Sequence, residues 1–284
     1  MQQIAVLSGK GGTGKTSISA AFACLNKKSV IVDCDVDASN MHLVLSPRVK
    51  EQGDFNCGNF AVVDQSKCIK CGKCRQLCRF NAITEDFIID KISCEGCGVC
   101  VWNCPSDAIR FEKDMSGKWF VSDTKFGTLV HANLGIGREN SGKLVSYVRT
   151  KAKEISKQNN IDTIIIDGPP GIGCPVIASV TGVDKVLIVT EPSLSALHDL
   201  KRILELIKNF KVKTFVCVNK YDLNKNITDE IKNLCLKEKC NFAGKIAFNT
   251  SFVKAVSLGK TVVEGFDNNL TANLEKIWHN VKRG

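Results

Sequence analysis

Two groups of residues in this 284-residue chain have the types and spacings that do chemistry. The first is Ser8–Ser17, read as S-G-K-G-G-T-G-K-T-S, in which Gly9, Gly14, Lys15 and Thr16 fit the phosphate-loop pattern G-x-x-x-x-G-K-S/T. Phosphate oxygens need several N–H donors converging on one point. Glycines at 9, 11, 12 and 14 let the backbone of Gly9–Ser17, Thr13 included, turn its N–H groups inward, and a helix N-terminus adds a partial positive charge. Lys15 is then placed to reach the β- and γ-phosphates, and Thr16 to ligate Mg²⁺. The second group is Cys68-x₂-Cys71-x₂-Cys74-x₃-Cys78, repeated 26 residues on as Cys94-x₂-Cys97-x₂-Cys100-x₃-Cys104-Pro105. Thiolates at these short spacings let one loop wrap three ligands around a face of a 4Fe–4S cube, while the fourth crosses to the other cluster. The expected sets are Cys68, Cys71, Cys74 and Cys104 for one cluster, and Cys94, Cys97, Cys100 and Cys78 for the other. Zinc also accepts four cysteines, but its sites rarely come as this doubled spacing. Arg79 stands where the second copy has Pro105, and a cation there would raise the potential of its cluster.

The elements that must position these groups are legible around them. Ile4–Leu7 and Val30–Val32 read as buried parallel strands with a helix, Ser17–Leu25, between them. Acidic residues then follow the second strand in Asp33-Cys34-Asp35-Val36-Asp37, where open α/β sheets bind ligands. Asp162–Ile166 is a further apolar strand that ends in Asp167-Gly168-Pro169-Pro170-Gly171, the arrangement in which a carboxylate holds the Mg²⁺ shell and Gly171 offers a backbone N–H to the γ-phosphate. Strands at Val186–Thr190 and Phe215–Val218 follow, the latter leading into Asn219, whose amide has the paired donor and acceptor that an adenine edge requires. Lys118–Val121 and Thr128–His131 alternate like strands, Asn140 opens a helix that runs to about Lys157, and Leu270–Val281 carries Leu270, Leu274, Ile277, Trp278 and Val281 on one face.

The fold class expected is α/β, a doubly wound, mostly parallel sheet with a small α+β domain planted in it. The domains fall at 1–56 with 113–284, and at 57–112 for the cysteine-rich insert. Apolar residues are 44% and charged residues 24%, so the chain is globular, and no run of about 18 apolar residues suggests a membrane span. Fifteen cysteines without a signal sequence point to the cytoplasm and to metal or redox chemistry rather than disulfides. The net charge of +10 is scattered, which makes nucleic acid an unlikely partner. Between Cys57 and Glu112 seven cations face seven acids, so no strong steering toward one sign of partner is expected.

Lys10, directly after Gly9, gives the loop the form G-K-G-G-T-G-K-T. This resembles the deviant phosphate loop of the MinD/Mrp/ParA ATPases, the class that includes the nitrogenase iron protein. The order of loop, acidic segment, cysteine insert, D-x-P-P-G and the N-K-x-D segment at 219–222 resembles a MinD-superfamily ATPase containing an inserted ferredoxin domain with two 4Fe–4S clusters. The resemblance implies that Lys10 reaches across a dimer to the partner's nucleotide, that Asp35 orients the attacking water and belongs to the Mg²⁺ site with Thr16 and Asp167, that Asp37 is a second such acid, and that Asn219 contacts adenine. It implies ATP and ADP as ligands, Mg²⁺-dependent hydrolysis, and a nucleotide-dependent homodimer or a heterodimer with a paralogue. Three functions fit: dimer closure that gates electron transfer to a redox partner, a cluster assembly or carrier ATPase acting on an apo-iron–sulfur protein, and a spatial or redox-sensing regulator.

Overall fold

In the computed structural model, residues 1–135 and 141–284 are described, with the side chains of all of these except Asp114 and Ser141. Nine strands form one sheet in the order β3-β4-β5-β2-β6-β1-β7-β8-β9. They are β1 (Gln2–Ser8), β2 (Ser29–Asp33), β3 (Arg48–Val63), β4 (Ile109–Thr124), β5 (Gly127–Leu134), β6 (Thr163–Pro170), β7 (Lys185–Thr190), β8 (Lys213–Asn219) and β9 (Asn241–Ile246). From β5 through β9 of that order every pairing is parallel, consistent with the apolar runs of β1, β2 and β7, which are buried almost end to end. The mostly parallel α/β sheet expected from the strand pattern is therefore present.

Ten helices accompany it: α1 (Lys15–Asn26), α2 (Met41–Leu45), α3 (Lys73–Leu77), α4 (Val99–Trp102), α5 (Ser141–Gln158), α6 (Cys174–Val180), α7 (Leu194–Lys208), α8 (Lys225–Lys237), α9 (Ser251–Ser257) and α10 (Asn268–Arg283). The helix start expected at Asn140 lies outside the described residues. Ser193, Asn224 and Asp267 accept the backbone N–H groups of Ala196, Ile227 and Leu270, closing the first turns of α7, α8 and α10. The apolar face of α10 is buried, and Trp278 stacks on Phe22 of α1 with ring centroids 4.9 Å apart. That helix is thus part of the core beside the phosphate loop. No helix among the described residues is long and apolar enough to cross a membrane.

Strands β3 and β4 are 16 residues each, far longer than the short strand at Lys118–Val121 that alternation suggests. Gly53, Asp54, Asn56 and Gly58 lie within β3 and disfavour a strand, most of its residues are exposed, and burial alternates only over the short stretch from Gln52 to Gly58, so propensity hides the strand's length. Both strands contribute residues to two compact units. One comprises Met1–Gly53, Trp119–Asn133 and Ser141–Gly284; the other comprises Asp54–Lys118 with Leu134 and Gly135 of the described residues.

The second unit repeats itself. Asp64 N–H donates to Ala108 O at 2.7 Å, and Asp90 N–H, 26 residues on, donates to Ala82 O at 2.8 Å. Gly72 and Gly98, with φ of 78° and 82°, cap α3 and α4, and Asn81 and Asp107 share the left-handed conformation at 51° and 48°. Asp64 and Asp90 each turn their carboxylates onto the next serine, Ser66 and Ser93. The duplicated cysteine spacing is therefore matched by a duplicated backbone.

Candidate functional site: a phosphate loop and two cysteine cavities

In the larger unit the site is assembled by the ends of adjacent strands. Register sets Val6 of β1 and Asp33 of β2 directly beside Asp167 of β6. The chain leaving β1 becomes the glycine loop, and α1 starts at Lys15 only after Gly14 has taken a φ of 88°. A side chain at Gly14 would meet Asn219 Nδ2 at 2.5 Å, so this glycine is required both by conformation and by contact.

Asp167 is fully buried and holds three partners. Lys15 Nζ lies 2.9 Å from Oδ1, Ser19 Oγ donates to Oδ1 at 2.7 Å, and Thr16 Oγ donates to Oδ2 at 2.8 Å. Asp33, also buried, accepts from the backbone N–H groups of Asp35 and Met41 and from Ser39 Oγ at 2.6 Å. Burial, and then the charge of Asp167, push its carboxyl up to about 7, against the pull of Ser39 and Lys15. Asp35 is half-buried and shifted up, chiefly by burial, while Asp37 is exposed. One buried lysine thus faces a group of carboxylates at neighbouring strand ends.

Around the loop, other expected residues are held by the chain itself. Lys10 lies 2.7 Å from Glu191 Oε1 and within 3.2 Å of the Ser193 and Ser195 hydroxyls. Lys220 binds the other oxygen of Glu191 at 3.0 Å and donates to Gly12 O at 3.0 Å. Burial pushes Glu191 up, but the two lysines outweigh it and hold the carboxyl below its usual range. Asn219 donates to Thr13 O at 2.8 Å and accepts from Lys220 N–H, so both ends of its amide are engaged with the chain. Gly171, at φ 92°, donates its N–H to Ser8 O at 3.0 Å. Gly9 packs on Asp199 of α7, whereas Gly11 and Gly12 face open space and are exposed, and Ser17 lies in the first turn of α1. Among the described residues the buried hydroxyls of Ser8 and Thr13 have no partner, which in a loop of this shape leaves polar atoms suited to a phosphate or its metal.

Asp33, Ser19, Glu191 and Lys220 are additions to the residues read from sequence. Asp33 and Glu191 stand at the C-terminal edge of β2 and just beyond β7, a position that marks ligand sites in open α/β sheets. Lys220 is the lysine of the N-K-x-D segment, whereas Ser19 lacks a comparable spacing signal. His131, on β5, stacks on Phe120 at 5.0 Å and contacts Ser122 Oγ, and burial lowers its pKa to about 4.

In the smaller unit two cavities are lined by cysteines. One, of about 370 Å³ with its open mouth, is lined by Cys78, Cys94, Cys97 and Cys100; the other, of about 310 Å³, by Cys68, Cys71, Cys74 and Cys104. Each takes three cysteines from one repeat and the last from the other. Ala82, Ile83, Ile89 and Val99 wall the first, and Val63, Phe87 and Ile109 the second. Burial pushes the Cys100 thiol up to about 11 and raises Cys74. Burial acts upward on Cys104 too, but hydrogen bonds from Ser106, Ala108 and Ile109 outweigh it and lower that thiol. Ala108 N–H lies 3.3 Å from its sulfur. Among the described residues, no three His, Cys, Asp or Glu side chains are gathered as a site for a single metal ion.

Comparison with known proteins places this geometry. Residues 4–262 match the CobQ/CobB/MinD/ParA nucleotide binding domain. Uncharacterized protein MJ0578 of Methanocaldococcus jannaschii is 38% identical over 79% of this chain and 80% of its own length. Pyruvate synthase subunit PorD of Methanothermobacter marburgensis is 38% identical over 52 residues, 18% of this chain and 64% of that protein. The septum site-determining protein MinD of Pyrococcus horikoshii, solved with Mg-ADP, superposes with a TM-score of 0.61, covering 99% of this chain and 96% of the other at 16% identity, a likeness of fold. With its glycine-lysine loop on β1 and Asp167 on the neighbouring β6, the chain belongs to the MinD/ParA superfamily of P-loop nucleotide-binding ATPases.

Proposed function

We propose that this ATPase is an iron–sulfur protein in which Mg²⁺-dependent ATP hydrolysis and closure of a dimer are coupled to electron transfer with a partner protein. The observation that carries the reading is the pair of cavities, each lined by four cysteines drawn from both repeats, in a chain whose other unit is a P-loop ATPase. The cysteine sets fit 4Fe–4S clusters better than zinc. A single zinc ion at about 2.3 Å from each thiolate gathers its sulfurs to about 3.8 Å from one another. A cube keeps its four ligands apart by its own body, and among the described residues no three of these thiols are gathered as closely as a single ion requires. Bound there, the clusters supply reversible one-electron chemistry. The thiols must lose their protons to ligate, and the backbone N–H at Cys104 already favours that form. The 52-residue likeness to a pyruvate synthase subunit adds support.

In the larger unit, Gly9–Ser17 cradle the phosphates, Lys15 neutralises the β- and γ-phosphate charge, and Thr16 and Asp167, with Asp35 beside them, hold Mg²⁺. Lys15 and Thr16 would leave their contacts with Asp167 to take up phosphate and Mg²⁺. Asp35, or Asp37, would orient the attacking water. Gly171 exchanges its bond to Ser8 O for the γ-phosphate, so that loss of that phosphate resets the segment after β6. Lys10 would exchange Glu191 for the partner's nucleotide, and Asn219, which donates to Thr13 O, would contact adenine.

Anaerobic purification, followed by iron and sulfide analysis and by potentiometric EPR with no nucleotide, with ADP and with a non-hydrolysable ATP analogue, tests the whole reading. About eight irons per chain are expected, about four in Cys71→Ser, and a nucleotide-dependent shift of tens of millivolts, where about 59 mV is tenfold for one electron. Stoichiometric zinc in place of iron would refute the cluster assignment. Two clusters whose potentials ignore nucleotide would refute the coupling.

A further inference from the structure

The balance of seven cations against seven acids in the insert hides a polarity that the internal repeat exposes. Between Lys67 and Arg79 the first copy carries five cations and no acid: Lys67, Lys70, Lys73, Arg75 and Arg79. The corresponding residues of the second copy are Ser93, Gly96, Val99, Val101 and Pro105, and the only charge between Ser93 and Pro105 is Glu95. The two copies share their backbone, so the second shows what the fold itself requires at each position. Nothing in that fold requires a cation at any of the five.

Lys70 makes the case most directly. It sits at φ 54°, in the left-handed region that its counterpart Gly96 enters at φ 60°. At Gly96 a side chain would meet Asn59 O at 2.0 Å, so the second copy needs glycine. The first copy bears a long side chain in the same conformation, at a cost of about 1–2 kcal/mol relative to glycine, and that side chain is exposed beside Cys71, which is also exposed. All five cations of the first copy are exposed. Arg75 pairs with Glu85 at 3.3 Å, and Lys67 feels Asp64, but Lys70, Lys73 and Arg79 make no ion pair among the described residues. Lys70 and Ile69 both line the cavity of Cys68, Cys71, Cys74 and Cys104, and Ile69 is 65% exposed.

We propose that Lys67, Lys70, Lys73 and Arg75, with Ile69 among them, form the docking face for an acidic protein, the redox partner of the first cysteine site; the proposal rests on the electron-transfer reading above. A basic rim whose Lys70 and Lys73 make no ion pair among the described residues, set around an apolar residue, is the pattern of a steered, transient protein contact, in which charge sets the encounter rate and a small apolar centre seals it. An extended polyanion fits it poorly. The cations belong to one short loop and the single turn of α3, and the same unit exposes Glu85, Asp86, Asp90, Glu95 and Asp107. A compact acidic face needs only the loop. The second copy, with Trp102 75% exposed and no cation, is left for contacts of a different kind.

The test uses the full chain, purified anaerobically, and a small acidic flavodoxin as probe. Association is followed by isothermal titration and carbodiimide cross-linking, neither of which needs an electron to move, at ionic strengths from 20 to 300 mM. The native chain should bind at low salt and lose at least about tenfold in affinity across that range. Lys70→Glu/Lys73→Glu should lose at least about tenfold at low salt together with most of the salt dependence, whereas Glu95→Lys should not weaken binding. Iron content is measured on the same samples, so a chain that lacks iron yet binds through these lysines counts against the cluster reading and not against the face. Unchanged binding in the double variant, or no binding of the flavodoxin with lysine-dependent capture of a single-stranded oligonucleotide or of phosphatidylserine vesicles instead, would overturn the proposal.

Discussion

Lys15→Met tests the electrostatic structure of the phosphate loop in the absence of any ligand. Lys15 is the buried cation against Asp167, 7% exposed at its side chain against 0%, and it also draws Asp33 downward. Its removal strands a buried carboxylate, which costs on the order of 3–5 kcal/mol. The cost depends on pH, and the sign follows from Asp33. Its folded pKa of about 7 lies above the value near 3.9 of an unfolded chain, so between those values the folded state binds more protons and stability falls as pH rises. From pH 8 down to pH 6 the native chain should gain stability, because folded Asp33 takes up a proton as pH falls through about 7. Lys15 pulls that carboxyl down, so without it the proton is bound from higher pH and the variant gains more over the same interval. The penalty of the substitution should therefore shrink at pH 6, by on the order of 1 kcal/mol, where a proton takes over part of the lysine's role. Urea unfolding followed by far-UV circular dichroism at both pH values, in nucleotide-free buffer with chelator, measures it. A penalty that is equal at the two pH values, or larger at pH 6, would show that Lys15 does not compensate the acids at these strand ends.

Gly14→Ala places a side chain at φ 88° and 2.5 Å from Asn219 Nδ2, so the loop must shift off that amide; labelled-ADP titration should show at least about a tenfold loss of affinity, equivalent to 1.4 kcal/mol. Trp278→Ala removes the ring that stacks on Phe22 and should cost about 3–5 kcal/mol in the same urea assay, with iron content unchanged because the cysteines belong to the other unit.

What sequence made legible was chemistry that has a period or a fixed spacing. The apolar runs of β1, β2, β6 and β7 are continuous because both faces of those strands are covered, and the loop and Asp167 sit at their ends. The cysteine repeat is legible for a related reason, since three of the four cysteines lining each cavity lie in one short loop. What stayed hidden depends on distant partners. The pairing of Lys10 and Lys220 on Glu191 joins residues about 180 and 30 positions apart, with no local pattern to announce it. Asn219 is an example of a residue whose type was legible and whose present contact was not. A buried amide serves a backbone carbonyl as well as a purine, and here it serves Thr13.

Asp33 shows most clearly how the strand ends concentrate buried acid at the phosphate loop. Strand register forces it beside Asp167, and the turn after β2 needs its oxygens to hold Ser39 and Met41. Replacing it with a neutral group would relieve the charge but lose those acceptors, so the fold keeps an acid whose proton affinity burial raises into the neutral range. Lys15 is a single cation for several acids, and the Ser8 and Thr13 hydroxyls beside it are buried without partners. An excess of buried acid next to unpaired hydroxyls and exposed glycine backbone would be relieved by a divalent cation carrying an anion. With such a ligand bound, Asp33 would be held in its charged form and Lys15 would be free for phosphate, and the hydrogen bonds of Asp33 to Asp35, Ser39 and Met41 would carry that change to the turn after β2.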